Sequence, residues 1–208
     1  MYDNGDGIPE DIEAAIYWYY KAANQGLASA QFNLAYLYDT GEKVPKSIEA
    51  AIYWYTKAAG QGDEDAQFNL AVTFDIGDGI PVDKRAAVYW YTKAAENGNK
   101  DAQFNLALMY EIGDGITTDK RAAVYWYKKA AEQGNKDAQF NLALMYENGD
   151  GITTNKRAAV YWYTKAAEQG DKNAQFNLTI LYESGNGIPI DLEKAAYWYR
   201  QCDLFNRR

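Results

Sequence analysis

The chain has 208 residues, a formal net charge of −8 and a pI near 4.7, a balance that argues against a nucleic-acid backbone or an anionic membrane as partner, since both need a basic face. A single cysteine, Cys202, excludes an intrachain disulfide and a cysteine-based metal site, and histidine is absent. No stretch approaches the ~20 apolar residues that span a bilayer, and Met1 is followed by Tyr2, Asp3 and Asn4 rather than a basic then apolar leader, so the chain reads as soluble and cytoplasmic, without membrane insertion. The first predicted helix, residues 12–25, follows Pro9 and an N-cap residue, Asp11. It carries the first of six Tyr-Trp-Tyr copies, which begin at Tyr17, Tyr53, Tyr89, Tyr125, Tyr161 and Tyr197, 36 residues apart. A second string, Ala-Gln-Phe-Asn-Leu, starts at Ala30, Ala66, Ala102, Ala138 and Ala174 with the same period. Such a period marks a solenoid in which each repeat contacts only its neighbours, with no central core and no internal domain boundary. The expected array is a lone second helix at 12–25 followed by repeats 27–62, 63–98, 99–134, 135–170 and 171–206.

The repeat 99–134 serves as the type. From Lys100 to Glu111 the apolar residues Ala102, Leu106, Met109 and Tyr110 share one helical face, and Phe104 and Leu108 form a second edge, as expected of a helix sandwiched between neighbours. Gly113 and Gly115 end it, being free to take positive φ. The second helix starts after a capping residue, Asp119, with counterparts Asp11, Ser47, Asp83, Asn155 and Asp191. Proline stands two residues before the cap in four copies, at Pro9, Pro45, Pro81 and Pro189, which keeps the two helices apart. That helix runs through Ala122, Ala123, Trp126, Tyr127, Ala130 and Ala131 to Gly134, with small residues letting a neighbour approach while the large rings fill the groove. Repeats 99–134 and 135–170 differ at only three of 36 positions, so the shared residues specify stacking first. On this reading the aromatic columns are the main stabilising element, and Trp126→Ala costs ~3–5 kcal/mol if the ring is buried.

These residues resemble the Sel1-like repeat family, a relative of the tetratricopeptide repeat with a longer loop between its helices. The resemblance rests on Leu106, Ala107, Tyr110, Gly113, Gly115, Asp119, Ala122, Trp126, Tyr127, Lys129, Ala130, Ala131 and Gly134, in register over several copies. The departures are Lys43 for the second loop glycine, Thr179 for the small helix residue, and Leu27 where other repeats offer a cap. The resemblance implies an all-α fold, a right-handed α/α superhelical solenoid of about 11 helices whose first helices line a concave surface. It also implies a scaffold or adaptor role. One branch, the Helicobacter cysteine-rich proteins, is associated with β-lactamase or penicillin binding, but it carries a disulfide in each repeat, and the paired cysteines are missing here.

The candidate binding residues lie on the first helices. Asn33, Asn69, Asn105, Asn141 and Asn177 sit at the edge of the buried face, where an amide without partners costs stability. By alignment with tetratricopeptide repeats this column matches the asparagines that hold the backbone of a bound peptide; alternatively each amide bonds an adjacent helix and ties one repeat to the next. Phe32, Phe68, Phe104, Phe140 and Phe176 form a neighbouring column, for packing between repeats or for lining the groove. The acids Asp39, Asp75, Glu111, Glu147 and Glu183 either make the groove floor negative, favouring a basic partner, or are solvated helix ends.

A calcium-loop reading of Asn-Gly-Asp-Gly fails: with Gly115 at the glycine position, Tyr110 and Ile112 would be ligands, so no metal and no cofactor is expected. The sequon Asn177-Leu178-Thr179 lies within a packed helix, and Cys202 reads as a buried filler. Tyr2 aligns with Tyr38 and Tyr110, so the chain opens at the end of a first helix and leaves the helix at 12–25 with an open face, suited to self-association or to a further segment. Gln201, Asp203, Asn206, Arg207 and Arg208 read as a polar cap. The expected function is a non-enzymatic scaffold that binds a peptide or partner protein on its concave face. The alternatives are a repeat protein that binds or hydrolyses a small ligand or cell-wall fragment, and a purely structural spacer.

Overall fold

A computed structural model describes residues 12–204, with side-chain surroundings for 13–202; Tyr2, Pro9, Asp11, Asp203, Asn206, Arg207 and Arg208 and the roles expected of them lie outside those residues. The described chain is entirely helical between its loops. It consists of α1 (Ile12–Asn24), α2 (Ala28–Thr40), α3 (Ile48–Ala59), α4 (Glu64–Ile76), α5 (Lys84–Glu96), α6 (Lys100–Ile112), α7 (Lys120–Glu132), α8 (Lys136–Asn148), α9 (Lys156–Glu168), α10 (Lys172–Ser184) and α11 (Leu192–Leu204). The even-numbered helices carry the Ala-Gln-Phe-Asn-Leu string and the odd-numbered ones the aromatic triplet.

The expected caps are formed. Ser47, Asp83, Asp119, Asn155 and Asp191 each accept a backbone N–H from the first turn of the helix that follows. Asp63, Asn99, Asn135 and Asp171 do the same for α4, α6, α8 and α10, whereas Leu27 offers α2 no side-chain acceptor. Gly79, Gly115, Gly151 and Gly187 all have positive φ, and a Cβ on Gly151 would collide with the Lys120 carbonyl. Lys43, in the same loop position, has negative φ, so the loop after α2 takes another path.

The chain forms two compact units, residues 1–102 and 103–208, with the border inside α6. In the first, α1 packs on α2, α2 on α3, α3 on α4 and α4 on α5. Its core joins Leu34, Ala35, Ala51, Tyr55, Ala58, Ala66 and Leu70. In the second, α7 packs on α8, α8 on α9, α9 on α10 and α10 on α11, around Tyr127, Leu142, Tyr163 and Leu178 with their alanine neighbours. Within each unit this is the helix-pair packing of a solenoid.

Three expectations need correction. The members of the aromatic triplet do not share one environment: Tyr125 is 53% exposed, Trp126 half-buried and Tyr127 fully buried, and Tyr53, Tyr89 and Tyr161 are exposed in the same way. The ring that fills the interface is the third residue, Tyr127, because Ala123 and Ala130 flank it on the helical face, so the cost assigned to Trp126→Ala belongs there. Of the edge formed by Phe104 and Leu108 only Phe104 is covered, by Tyr127; Leu108 is 37% exposed. Cys202 is half-buried rather than buried.

Candidate interaction surface

The first helices set the surface. Periodicity places Ala102, Leu106 and Ala107 on the buried side of α6 and leaves Asn105 and Leu108 on the open side, and the other even-numbered helices follow the same register. All five asparagines, Asn33, Asn69, Asn105, Asn141 and Asn177, are half-buried. Asn69 donates its amide N–H to the Tyr55 hydroxyl at 3.1 Å, and Asn141 donates to Tyr127 at 3.1 Å. Asn177 faces the Tyr163 hydroxyl in the same way. Among the described residues the Asn69 and Asn141 side chains make no further hydrogen bond, so their amide oxygens stay open, and the Asn33 side chain makes none.

Each tyrosine hydroxyl passes its own proton onward. Tyr55 donates to Asp39 and Tyr91 to Asp75, each at 3.3 Å, Tyr127 donates to Glu111 at 2.7 Å, and Tyr163 to Glu147 at 2.8 Å. Burial pushes the Tyr55, Tyr127 and Tyr163 phenols well above their ordinary value, and the adjoining carboxylates add to the shift, since a phenolate beside a carboxylate is doubly disfavoured. Asp39, Asp75, Glu111 and Glu147 are therefore neither a bare negative strip nor simple solvated helix ends, whereas Glu183 is exposed. Lys84 pairs with Asp75 at 2.6 Å and Lys156 with Glu147 at 3.2 Å, which neutralises these two further.

The phenylalanines pack on the same tyrosines, with ring centroids 5.9 Å apart for Phe32–Tyr55, Phe68–Tyr91 and Phe104–Tyr127 and 5.7 Å for Phe140–Tyr163. Phe176 differs: it is exposed. Beside the asparagines runs an apolar column that sequence reasoning assigned to the interior. In the first unit it comprises Tyr36, 47% exposed, and the half-buried Val72. In the second it comprises Leu108, the half-buried Leu144, and Ile180, 45% exposed. Two shallow cavities open on this side of the first unit: one is lined in part by Asn33, Tyr36, Leu37 and Tyr19, the other by Asp39, Asn69, Val72 and Ile76.

A second column escaped the sequence reading. Gln31, Gln67, Gln103, Gln139 and Gln175 are all buried. Gln31, Gln67, Gln139 and Gln175 donate to the carbonyls of Ala23, Ala59, Ala131 and Ala167, in the last turn of the preceding second helix, which also accept the backbone N–H of Gly26, Gly62, Gly134 and Gly170. Their own carbonyl oxygens accept from the end of the next second helix: Gln61 to Gln31, Asn97 to Gln67, Gln133 to Gln103, and Gln169 to Gln139. The signal was available, because Gln103 lies three and four residues before the fully buried Leu106 and Ala107 and hence on their face. Among the described residues no cluster of His, Cys, Asp and Glu could hold a metal, and no helix is long and apolar enough to cross a membrane.

Helix pairs stacked within each unit and cemented by repeated tyrosine, asparagine and glutamine contacts define a helical repeat protein. The profile of the Sel1 repeat matches residues 1–27, 28–63, 64–99, 100–135, 136–171 and 172–201, and the chain belongs to the Sel1 repeat family. Members of this family are in general protein-interaction scaffolds and non-enzymatic. Among solved structures, a protective antigen from uropathogenic Escherichia coli is 36% identical with a TM-score of 0.93; the match covers 98% of this chain but only 44% of that one, so this chain spans less than half the antigen's length. A Sel1 repeat protein from Oxalobacter formigenes is 37% identical over 99% of this chain and 84% of its own, with a TM-score of 0.78. A Klebsiella pneumoniae Sel1 repeat protein is 25% identical over 91% of this chain and 97% of its own, with a TM-score of 0.50. No match was found among curated proteins.

Proposed function

We propose that the chain is a non-enzymatic scaffold whose first-helix face binds an extended segment of a partner protein. The observation that carries this reading is the recurrence, repeat after repeat, of an open asparagine carbonyl or free amide beside a half-exposed apolar side chain: Asn33 with Tyr36, Asn69 with Val72, and Asn141 with Leu144. An extended segment presents backbone N–H groups and alternating side chains, and such a surface offers acceptors for the first and apolar contact for the second. The acids nearby are engaged by tyrosine hydroxyls and lysines, which suits a structural role better than proton transfer.

The test must separate binding from folding, since Asn69 and Asn141 also hold tyrosine hydroxyls. Peptides selected from a random display library on the intact protein are titrated against Asn33→Ala, Leu144→Ser and Ile180→Ser. Weaker binding with an unchanged melting curve is the expected result. Selected peptides that bind all three variants as tightly as the parent would sink the reading.

A further inference from the structure

In the unit of residues 103–208, the last repeat departs from the one before it at four positions that line one small cavity, Pro189, Ile190, Asp191 and Lys194. Its volume is about 260 Å³, the scale of a single small ligand rather than of a large cofactor. Val160 of α9, Tyr182 of α10 and Ile188, Pro189 and Ile190 of the loop between α10 and α11 make its lining largely apolar. Arg157, Asp191 and Lys194 add charge at the same cavity.

The charged residues do not balance. Lys194 pairs with Asp191 at 2.9 Å and lies 5.3 Å from the centre of the Tyr182 ring, while Asp191 also caps α11. The Arg157 side chain is exposed and makes no hydrogen bond or ion pair among the described residues, which leaves its guanidinium available beside the apolar lining. The combination does not recur. Lys194 stands in a column that is alanine at Ala50, Ala86, Ala122 and Ala158, and Pro189 and Ile190 replace Thr153 and Thr154 of the repeat before. The first unit repeats the loop as Ile80, Pro81 and Val82, but there Glu49 and Ala86 take the positions of Arg157 and Lys194.

We propose that this cavity binds a carboxylate carried on a branched aliphatic chain, with the carboxylate at Arg157 and the chain against Val160, Ile188 and Ile190. Guanidinium holds carboxylate through two parallel N–H bonds, and one net positive charge suits a monoanion. The ligand is either a free branched-chain acid or the last residue of a peptide, which share this chemistry. The site is distinct from the first-helix face and does not depend on it.

Calorimetric titration of the intact protein with 4-methylpentanoate, acetyl-glycyl-leucine and the C-terminal amide of that dipeptide tests the assignment. Both acids are expected to bind, the amide at least about tenfold more weakly than the dipeptide acid. Arg157→Gln should weaken the acids about tenfold, while Arg121→Gln, one repeat earlier, should leave them unchanged. Lys194→Ala, which restores the residue of the other repeats, should also weaken them and keeps the test open if Arg157→Gln melts early. Tighter binding of the dipeptide acid assigns the site to a peptide end, and tighter binding of 4-methylpentanoate assigns it to a free acid. Equal binding of acid and amide, unchanged binding by Arg157→Gln, or no binding of either acid overturns the proposal.

Discussion

Tyr127 shows what a single side chain contributes here. Its ring is fully buried against Phe104, and its hydroxyl donates to Glu111 at 2.7 Å while accepting from Asn141 at 3.1 Å. Removing only the hydroxyl in Tyr127→Phe leaves the packing but strands the amide and the carboxylate, both of which reach solvent, so the loss is the modest one of about 1–2 kcal/mol. Tyr127→Ala also empties the space under the ring and should cost ~3–5 kcal/mol. Chemical denaturation of the two variants checks the ratio, and near-equal losses would mean that the hydroxyl network, not the ring, holds the interface. Trp126→Ala should fall below Tyr127→Ala because the indole is only half-buried. All six triplet copies look alike in sequence. In the copy at Tyr125 the ring that goes inside is the one in helical phase with Ala123 and Ala130, which is Tyr127 and not the larger tryptophan, whereas Trp54 and Trp198 are buried and Tyr199 is exposed in their own copies.

At the level of the element, the glutamine column joins a first helix to the second helices on both sides of it. Gln139 bonds the Ala131 carbonyl at 3.1 Å and accepts from Gln169 at 2.8 Å. Gln175 bonds Ala167 at 3.2 Å, but its buried side-chain carbonyl oxygen has no partner among the described residues, and position 205, which corresponds to Gln169, is a phenylalanine without an amide. Replacement by methionine keeps the shape and removes the bonds. Gln139→Met should therefore cost about 2 kcal/mol, whereas Gln175→Met should cost about 1 kcal/mol or less, since it also removes an unsatisfied buried oxygen. Thermal melts of the two variants measure the difference, and equal losses would refute the role of the clamp. Helix limits, caps and the repeat period were legible from the sequence because they follow from local chemistry: Asp119 and Asn135 cap wherever they precede a periodic segment. The clamp and the tyrosine network were not, because each joins residues 8 to 30 positions apart, and only packing shows which polar atoms meet. Leu108 was misplaced for a related reason. An apolar residue on a second helical edge looks the same in sequence whether a neighbour covers it or a partner is meant to.

For the molecule as a whole, the repeated buried tyrosines set the response to alkali. Tyr55, Tyr127 and Tyr163 are held protonated well above the ordinary phenol value by burial and by Asp39, Glu111 and Glu147 beside them. A folded-state value raised above the unfolded one contributes stability that is fully present below about pH 10 and is lost as pH climbs toward the folded value. Above about pH 10 the unfolded chain releases these protons and the folded chain keeps them, so each residue lowers stability by up to ~1.4 kcal/mol per pH unit, and the three together by roughly 4 kcal/mol. Ultraviolet absorbance of tyrosinate, followed alongside helical circular dichroism, should show Tyr55, Tyr127 and Tyr163 ionising only as helicity collapses. Tyr127→Phe removes one of these buried protons, and denaturation midpoints measured across alkaline pH should fall less steeply for it than for the parent. A single titration step complete before any helicity is lost would show that the buried hydroxyls exchange freely with solvent, and the network of tyrosine, acid and asparagine could not then be what holds successive helices together.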